Sequence, residues 1–317
     1  VSTLPFSTVI PTLQDGALLK RALDSLIIQT RLPDEVIVVD HGSTDGTDQV
    51  FESFKEALLA RAPQTSVKIV RYAARLPVAE NWNRAVAHVT TGHFHIFHSD
   101  DELAPTFYER TVSMFENRPD LDYLSTRIFP IDGEGNPTAR ARNRLKDPLM
   151  AVARASGLTK GRGFLLMFGM FGTMLYCPAV LFKKSFFDRV GGFNSEFSYC
   201  VDFEMWIRAI RSGGRYAYLP EPLYRYRISE ASTAERDRFQ IDYFLEEFRV
   251  YHLPWRGSRL LSLLSVPALT MLLIEDLLPL SKDPAHRFAA EVTRRIDSPI
   301  WSAWLKLVAQ TFVGLKK

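Results

Sequence analysis

The sequence predicts an α/β fold: an open, doubly wound, mainly parallel sheet followed by a C-terminal helical appendage. Three observations predict it. Strand-like and helix-like segments alternate through the N-terminal half with short connections between them. The run Glu35–Val39 (EVIVV) is almost continuously apolar, as expected of a strand covered on both faces of a parallel sheet. Beyond about residue 237 the strand patterns stop and helical spacing continues to the end, with Trp255, Trp301 and Trp304 spread through it. The expected division is a first domain over residues 1–236 and a helical region over 237–317.

The elements follow in order. Phe6–Ile10 is apolar and β-branched, and Pro11 is expected to end it. Residues 17–29 carry Leu18, Leu19, Ala22, Leu23, Leu26 and Ile27 at helical spacing. EVIVV then runs into the turn-rich DHGSTDGT, and a helix is expected through Gln49 to Leu59. Val67–Tyr72 reads as a third strand, Val78–Val89 as a third helix and His93–Phe97 as a fourth strand. A helix over 105–117 and a strand over 121–129 follow, then the turn DGEGNP and a basic loop holding Arg140, Arg142, Arg144 and Lys146. Residues 163–182 are uncharged but hold several glycines and a Cys-Pro step. They read as a buried helix, turn and strand, not as a membrane span. Asp202–Ile210 is expected to be helical.

Bulk properties narrow the function. In 317 residues, 39 basic and 36 acidic side chains leave a net charge of +3, so nothing favours a nucleic-acid partner. Cys177 and Cys200 lack metal-ligand spacing and fit a reducing compartment. The expected location is cytoplasmic, or peripheral at the inner face of the cell membrane. The apolar stretch 260–274 is too short to span, and reads as core or as an oligomer or membrane-surface contact. No G-x-G-x-x-G follows a strand, and Walker-A and G-x-S-x-G patterns are missing. His93, His95, His252 and His286 stand singly, without zinc spacing.

Three constellations carry chemistry. Asp40 ends EVIVV and precedes His41-Gly42-Ser43-Thr44-Asp45, a turn suited to an anion or a polar ring edge. The competing reading has Thr44 or Asp45 capping the next helix, and both can hold. Asp100 and Asp101 close the fourth strand, and adjacent carboxylates there suit a partial cage for Mg²⁺ or Mn²⁺. The alternative is a cap for a helix starting near Pro105. His98 beside them reads either as a ligand or as a hydrogen-bonded core residue. Asp202 and Glu204 lie at a helix start, where a carboxylate accepts helix N–H bonds or acts as a general base.

In order, STVIPT (7–12), LKRALDSLIIQT (19–30), DEVIVVDHGSTDGT (34–47), AENWNRAVAHVTTGHFHIFHSDDELAP (79–105), VLFKKSFFDRVGGFNSEFSYCVDFEMWIRAI (180–210) and PEPLYRYRIS (220–229) resemble the family-2 inverting glycosyltransferases of the GT-A type. The resemblance implies a Rossmann-like GT-A domain that moves a sugar from a nucleoside-diphosphate sugar to a saccharide or lipid-linked saccharide hydroxyl, in surface polysaccharide assembly. By family habit the donor carries uridine. The resemblance further implies that Pro11 and Thr12 border the nucleotide, that Asp40 faces the base edge and that Asn81 lies near the nucleotide-sugar. Asp100 and Asp101 would be the D-x-D-type pair, touching ribose and holding Mn²⁺ or Mg²⁺ on the diphosphate. Asp202 would be the general base, and Arg225 and Arg227 stand either as phosphate-neutralising groups or as strand-surface charges.

Several positions depart from the family pattern. Leu13-Gln14 stands where Tyr-Asn is usual, and Val201 replaces the Glu before the base. Ser229 stands where a His often follows the late Tyr-Arg segment. His98 replaces the first acid of Asp-x-Asp-Asp, which leaves open which aspartate holds the metal. Two other classes fit the sequence less well. A nucleotidyltransferase wants a basic glycine-rich loop after the first strand, and PTLQDGALLK is a poor version of it. A non-catalytic carbohydrate-binding scaffold predicts lost acids, yet Asp100, Asp101 and Asp202 all remain.

Overall fold

The structure is a computed structural model, and it describes residues 4–14, 16–138, 148, 150–152, 161–173, 175–228, 241–255, 265, 269, 282–296 and 298–315. The chain divides into two compact units, Val1–Phe164 with Met174–Ser229, and Leu165–Thr173 with Glu230–Lys317. The expected boundary after residue 236 lies outside the described residues, as do the basic loop 140–146 and most of 260–274.

The first unit is built on an eight-stranded sheet. Its strands are β1 (Phe6–Thr12), β2 (Glu35–Asp40), β3 (Ser66–Arg71), β4 (His93–Ile96), β5 (Glu102–Leu103), β6 (Tyr123–Ile131), β7 (Val180–Lys183) and β8 (Tyr216–Arg227). Their order is β3-β2-β1-β4-β7-β6-β8-β5. Only β7 and β5 run against the others. The doubly wound, mainly parallel α/β fold expected from the alternation is therefore the fold observed. Helices α1 (Gly16–Ile27), α2 (Thr47–Arg61), α3 (Val78–Val86) and α4 (Phe107–Asn117) alternate with the early strands. β2 is buried along its whole length, while β3 at the sheet edge alternates exposed and half-buried residues. The stripe Leu19, Ala22, Leu23 and Leu26 of α1 joins Val36, Val38 and Phe51 in the main core.

Two local expectations are corrected. Pro11 does not end β1, which continues to Thr12 with Pro11 opposite Val39 and Thr12 opposite Asp40. The Val9 carbonyl accepts from Phe97 on the β4 side, and the Thr12 carbonyl accepts from His41 on the β2 side. The alternation puts Pro11 on the β4 side, past the last paired residue of β4, so its missing N–H costs no ladder bond. Neither Thr44 nor Asp45 caps α2: left-handed Gly46 holds the N-cap position. Asp45 instead accepts the Gly16 N–H at 3.0 Å and the Thr47 hydroxyl at 2.5 Å, tying the loops after β1 and β2 together.

His95 is a core residue. Thr8 donates to the Tyr108 hydroxyl at 2.7 Å, Tyr108 in turn lies 2.9 Å from His95 Nδ1, and His95 Nε2 reaches the Pro178 carbonyl at 2.7 Å. Burial lowers its pKa to about 3, and burial followed by Lys183 lowers that of His93 to about 4. An unfolded histidine titrates near 6.5, so the unfolded chain takes up protons first as pH falls. Stability from these two rings is full above pH 6.5 and is lost as pH drops toward 4 and 3. Both rings are expected to give neutral-imidazole NMR shifts at pH 5, with the thermal midpoint falling from pH 7 to pH 4. Protonated rings in folded protein at pH 5 would contradict this.

Later in the first unit come α6 (Lys184–Arg189) and α7 (Val201–Arg211). The helix α5 (Gly161–Phe171), a 3₁₀ turn (Cys177–Ala179) and β7 realise the helix, turn and strand expected over 163–182. The second unit holds α8 (Ile241–His252), α9 (Lys282–Arg295) and α10 (Pro299–Leu315). Within it Phe244 meets Phe288 at 5.9 Å, and Trp301 packs on Phe248 at 5.4 Å and on His252 at 4.7 Å. A Cβ on Gly172, at φ +81, would lie 2.2 Å from the Tyr251 hydroxyl, so this close approach requires glycine. Among the described residues no helix is long and apolar enough to cross a membrane.

Candidate active site

Ligands of open α/β sheets bind beyond the carboxyl ends of the strands. Here those ends collect Thr12 and Asp40, side by side at the ends of β1 and β2, and His98-Ser99-Asp100-Asp101 just after β4. Tyr226 and Arg227 at the end of β8, which runs parallel to β6, come to the same edge. Pro11 is half-buried and Thr12 is buried.

Asp40 is buried, and its Oδ1 accepts both the Ser43 N–H at 3.1 Å and the Ser43 hydroxyl at 2.6 Å. These bonds fold the DHGS turn back on its own strand. The next residue, His41, was not singled out from sequence. Arg84 donates to His41 Nδ1 at 2.5 Å and to Asn81 Oδ1 at 2.9 Å, and its guanidinium lies 3.7 Å from the centre of the Tyr72 ring. Burial, then Arg84, lowers the His41 pKa to about 4, so the ring is neutral near pH 7. Asn81 exchanges two bonds with the Leu76 backbone, accepting at 3.1 Å and donating at 2.6 Å. Its amide therefore holds the approach to α3.

The acidic corner is a turn in which the Asp101 N–H reaches the His98 carbonyl at 3.4 Å. Asp101 is 1% exposed, and its carboxylate is anchored on both sides. Oδ1 accepts the Arg227 N–H at 2.7 Å, and Oδ2 accepts the Tyr224 hydroxyl at 2.9 Å. Asp100 is less enclosed and gives its carbonyl to Arg227 Nε at 2.7 Å. Burial, then the Asp100 charge, pushes the Asp101 carboxyl well above the carboxylate range, and burial raises Asp100 as well. Two adjacent carboxylates, one buried and one half-buried, rely on nearby positive charge to hold the charged form. The donor set fits a divalent cation: ligand atoms of His98, Asp100 and Asp101 all lie within 4.8 Å of one another.

Arg227 supplies part of that charge from beneath. Its side chain is 0% exposed and donates to Asp132 O at 2.7 Å, Gly133 O at 3.0 Å and Glu102 Oε1 at 2.5 Å. Nε, Nη1 and Nη2 all donate to protein acceptors, so the guanidinium braces the corner from within the fold. β5 explains why. This two-residue strand, not foreseen from sequence, pairs Glu102 with Arg225 and Leu103 with Tyr224, clamping the segment after the acidic turn onto β8. Arg225 is the more open arginine, with a 40% exposed side chain that donates to Gly135 O at 3.1 Å.

Asp202 lies in the first turn of α7 and is half-buried, with Oδ1 accepting the Phe203 N–H at 2.8 Å. Glu204 is committed elsewhere, gripping Arg208 through two bonds of 2.7 and 3.0 Å. Burial is the main cause of the strongly raised pKa of the Tyr226 hydroxyl, and the charges of Asp101, Asp100 and Asp202 add to it.

This sheet, with an acidic turn after its fourth strand, has the GT-A arrangement. The chain belongs to glycosyl transferase family 2, whose model matches residues 7–185. Among curated relatives, it is 23% identical over 235 residues to the amylovoran biosynthesis glycosyltransferase AmsE of Erwinia amylovora, covering 74% of this chain and 79% of that one. It is 23% identical over 238 residues to the O-antigen chain rhamnosyltransferase RfbN of Salmonella typhimurium, covering 74% and 70%. Among solved structures, S. aureus TarS 1–349 in complex with UDP-GlcNAc aligns over 98% of this chain and 89% of its own, with 15% identity and a TM-score of 0.59. A longer TarS chain is matched over 43% of its length. The mannosyltransferase PcManGT from Pyrobaculum calidifontis, in complex with GDP-Man and Mn²⁺, aligns over 100% and 89%, with 18% identity and a TM-score of 0.56.

Proposed function

We propose that this chain is an inverting glycosyltransferase that moves a sugar from a nucleoside-diphosphate sugar to a saccharide or lipid-linked saccharide hydroxyl in surface polysaccharide assembly. The observation that carries this reading is the acidic corner at the carboxyl edge of the sheet, where ligand atoms of His98, Asp100 and Asp101 lie within 4.8 Å of one another. Family membership supports glycosyl transfer. The relatives named for amylovoran and O-antigen synthesis support the pathway class, and neighbours holding UDP-GlcNAc and GDP-Man support the donor class.

In this mechanism Pro11, Thr12 and the Asp40 turn border the nucleotide. Asn81 acts through the loop it braces. Asp100 presents the more open carboxylate for Mn²⁺ or Mg²⁺, while Asp101, fixed by Tyr224 and Arg227, keeps the turn in shape. A bound divalent cation would stabilise the charge developing on the diphosphate leaving group. Asp202 takes the proton of the acceptor hydroxyl, whose oxygen attacks the anomeric carbon opposite the diphosphate. A single displacement with one base inverts that carbon. Occupation of the inner membrane face through the C-terminal region, or pairing of two chains there, belongs to the same proposal.

The test is a thermal-shift panel of UDP-, GDP- and dTDP-sugars with and without Mn²⁺. One nucleotide class is expected to raise the midpoint, and to do so more strongly with the cation. Binding of free sugars but of no nucleotide would favour a carbohydrate-binding scaffold instead.

A further inference from the structure

The acidic turn differs from a pure carboxylate cage in one respect, the imidazole of His98. It joins Asp100 and Asp101 in a group whose ligand atoms lie within 4.8 Å of one another, and its Nδ1 stands 3.9 Å from Asp101 Oδ2. The side chain is 23% exposed, with Nε2 buried and Nδ1 the nitrogen near the carboxylates. The Trp82 ring lies 5.2 Å from it, and Trp82 is held in turn by Phe193 at 5.0 Å. The Phe193 backbone exchanges bonds of 2.8 and 2.9 Å with Asn83, so the wall behind the ring is tied to α3. The ring is thus packed in place at the mouth of the corner.

Asp101 contributes least freedom to a ligand set, since each of its oxygens already accepts a hydrogen bond. Asp100, the more open of the two aspartates, and His98 complete the donor set. We infer that His98 is a direct ligand to the cation of this site, and that its nitrogen makes the site select a transition-metal ion such as Mn²⁺ over Mg²⁺. The chemistry follows from the donor atom. Mg²⁺ is a hard ion that favours oxygen and holds its waters, whereas imidazole nitrogen binds first-row transition ions better. This inference rests on the donor-binding reading above, and its test separates the two.

The experiment is pulsed electron paramagnetic resonance of Mn²⁺ bound to the full chain in the presence of UDP, or of GDP if the panel selects it. Nitrogen modulation from a coordinated imidazole is expected in the wild type and lost in His98→Gln and His98→Asp. Loss of an outer-sphere partner alone costs about 10–100-fold in metal affinity, so His98→Gln is expected to weaken Mn²⁺ at least that much. In His98→Asp, Mg²⁺ is expected to displace Mn²⁺ at lower concentration than in the wild type. Unchanged circular dichroism in both variants keeps the comparison about the metal. Bound Mn²⁺ with no nitrogen modulation in the wild type would overturn the role of His98 and leave the glycosyltransferase reading intact. Nitrogen modulation that persists in both variants would overturn it equally. Nucleotide binding with no Mn²⁺ uptake at all would overturn the metal reading itself, and this inference with it.

Discussion

Asp202→Asn is expected to lower kcat by about 10²–10⁴-fold, the range contributed by a positioned general base, while leaving donor affinity unchanged. The substitution is mild for the fold. Asparagine keeps an oxygen to accept the Phe203 N–H bond, so the first turn of α7 retains its anchor. It removes the basicity that takes the acceptor proton. The measurement pairs nucleotide release at saturating acceptor with calorimetric titration of the donor. Loss of turnover with intact donor binding supports the base assignment, whereas near-normal turnover would sink it. Loss of donor binding would instead move Asp202 from the acceptor side to the donor side. Glu204 makes a useful contrast on the same helix. Because it is locked to Arg208, its replacement should disturb packing around α7 and not the pH dependence of transfer.

The sheet was legible in the sequence because its signals are local. EVIVV reads as a doubly covered strand without any partner in view, and β2 is buried at every position. The stripe on α1 and the alternation of elements work the same way. Asp40, Asp100 and Asp101 could be assigned to the carboxyl edge because each follows such a strand. What escaped were features made by long-range contacts. β5 has only two residues, too few to carry a pattern, and exists because Glu102 and Leu103 meet β8 more than a hundred residues later. Pro11 looked like a terminator because the side of the strand its nitrogen faces depends on where β4 stops. His41 drew no attention in DHGSTDGT, since the arginine that fixes its ring lies 43 residues away on α3. Arg227 carried two readings, a phosphate-neutralising group or a strand-surface charge. An arginine near a phosphate site suggests a phosphate ligand, and only the fold reveals that it is enclosed by carbonyls.

Arg227→Met is accordingly expected to act on stability before it acts on the donor. Methionine matches the stem in length and keeps the backbone N–H that serves Asp101, so the loss is confined to the guanidinium. That group is fully enclosed, and removing it strands Glu102 Oε1 together with the carbonyls of Asp100, Asp132 and Gly133. Breaking a buried pair by deleting one partner typically costs about 3–5 kcal/mol, which lowers the thermal midpoint by roughly 6–20 °C for a domain of this size. It also removes a positive charge from beneath two carboxylates, so their demand for a cation rises. The variant is therefore expected to gain more thermal stabilisation from Mn²⁺ than the wild type does. Arg225→Ala is the control. Its side chain is 40% exposed and sits 3.4 Å from Glu102 Oε2, so solvent screening limits its worth to at most about 1 kcal/mol. If Arg227 were instead a phosphate ligand, Arg227→Met would leave the midpoint in place and weaken the donor. A midpoint unchanged from wild type, with donor affinity reduced, is the result that would return Arg227 to the diphosphate.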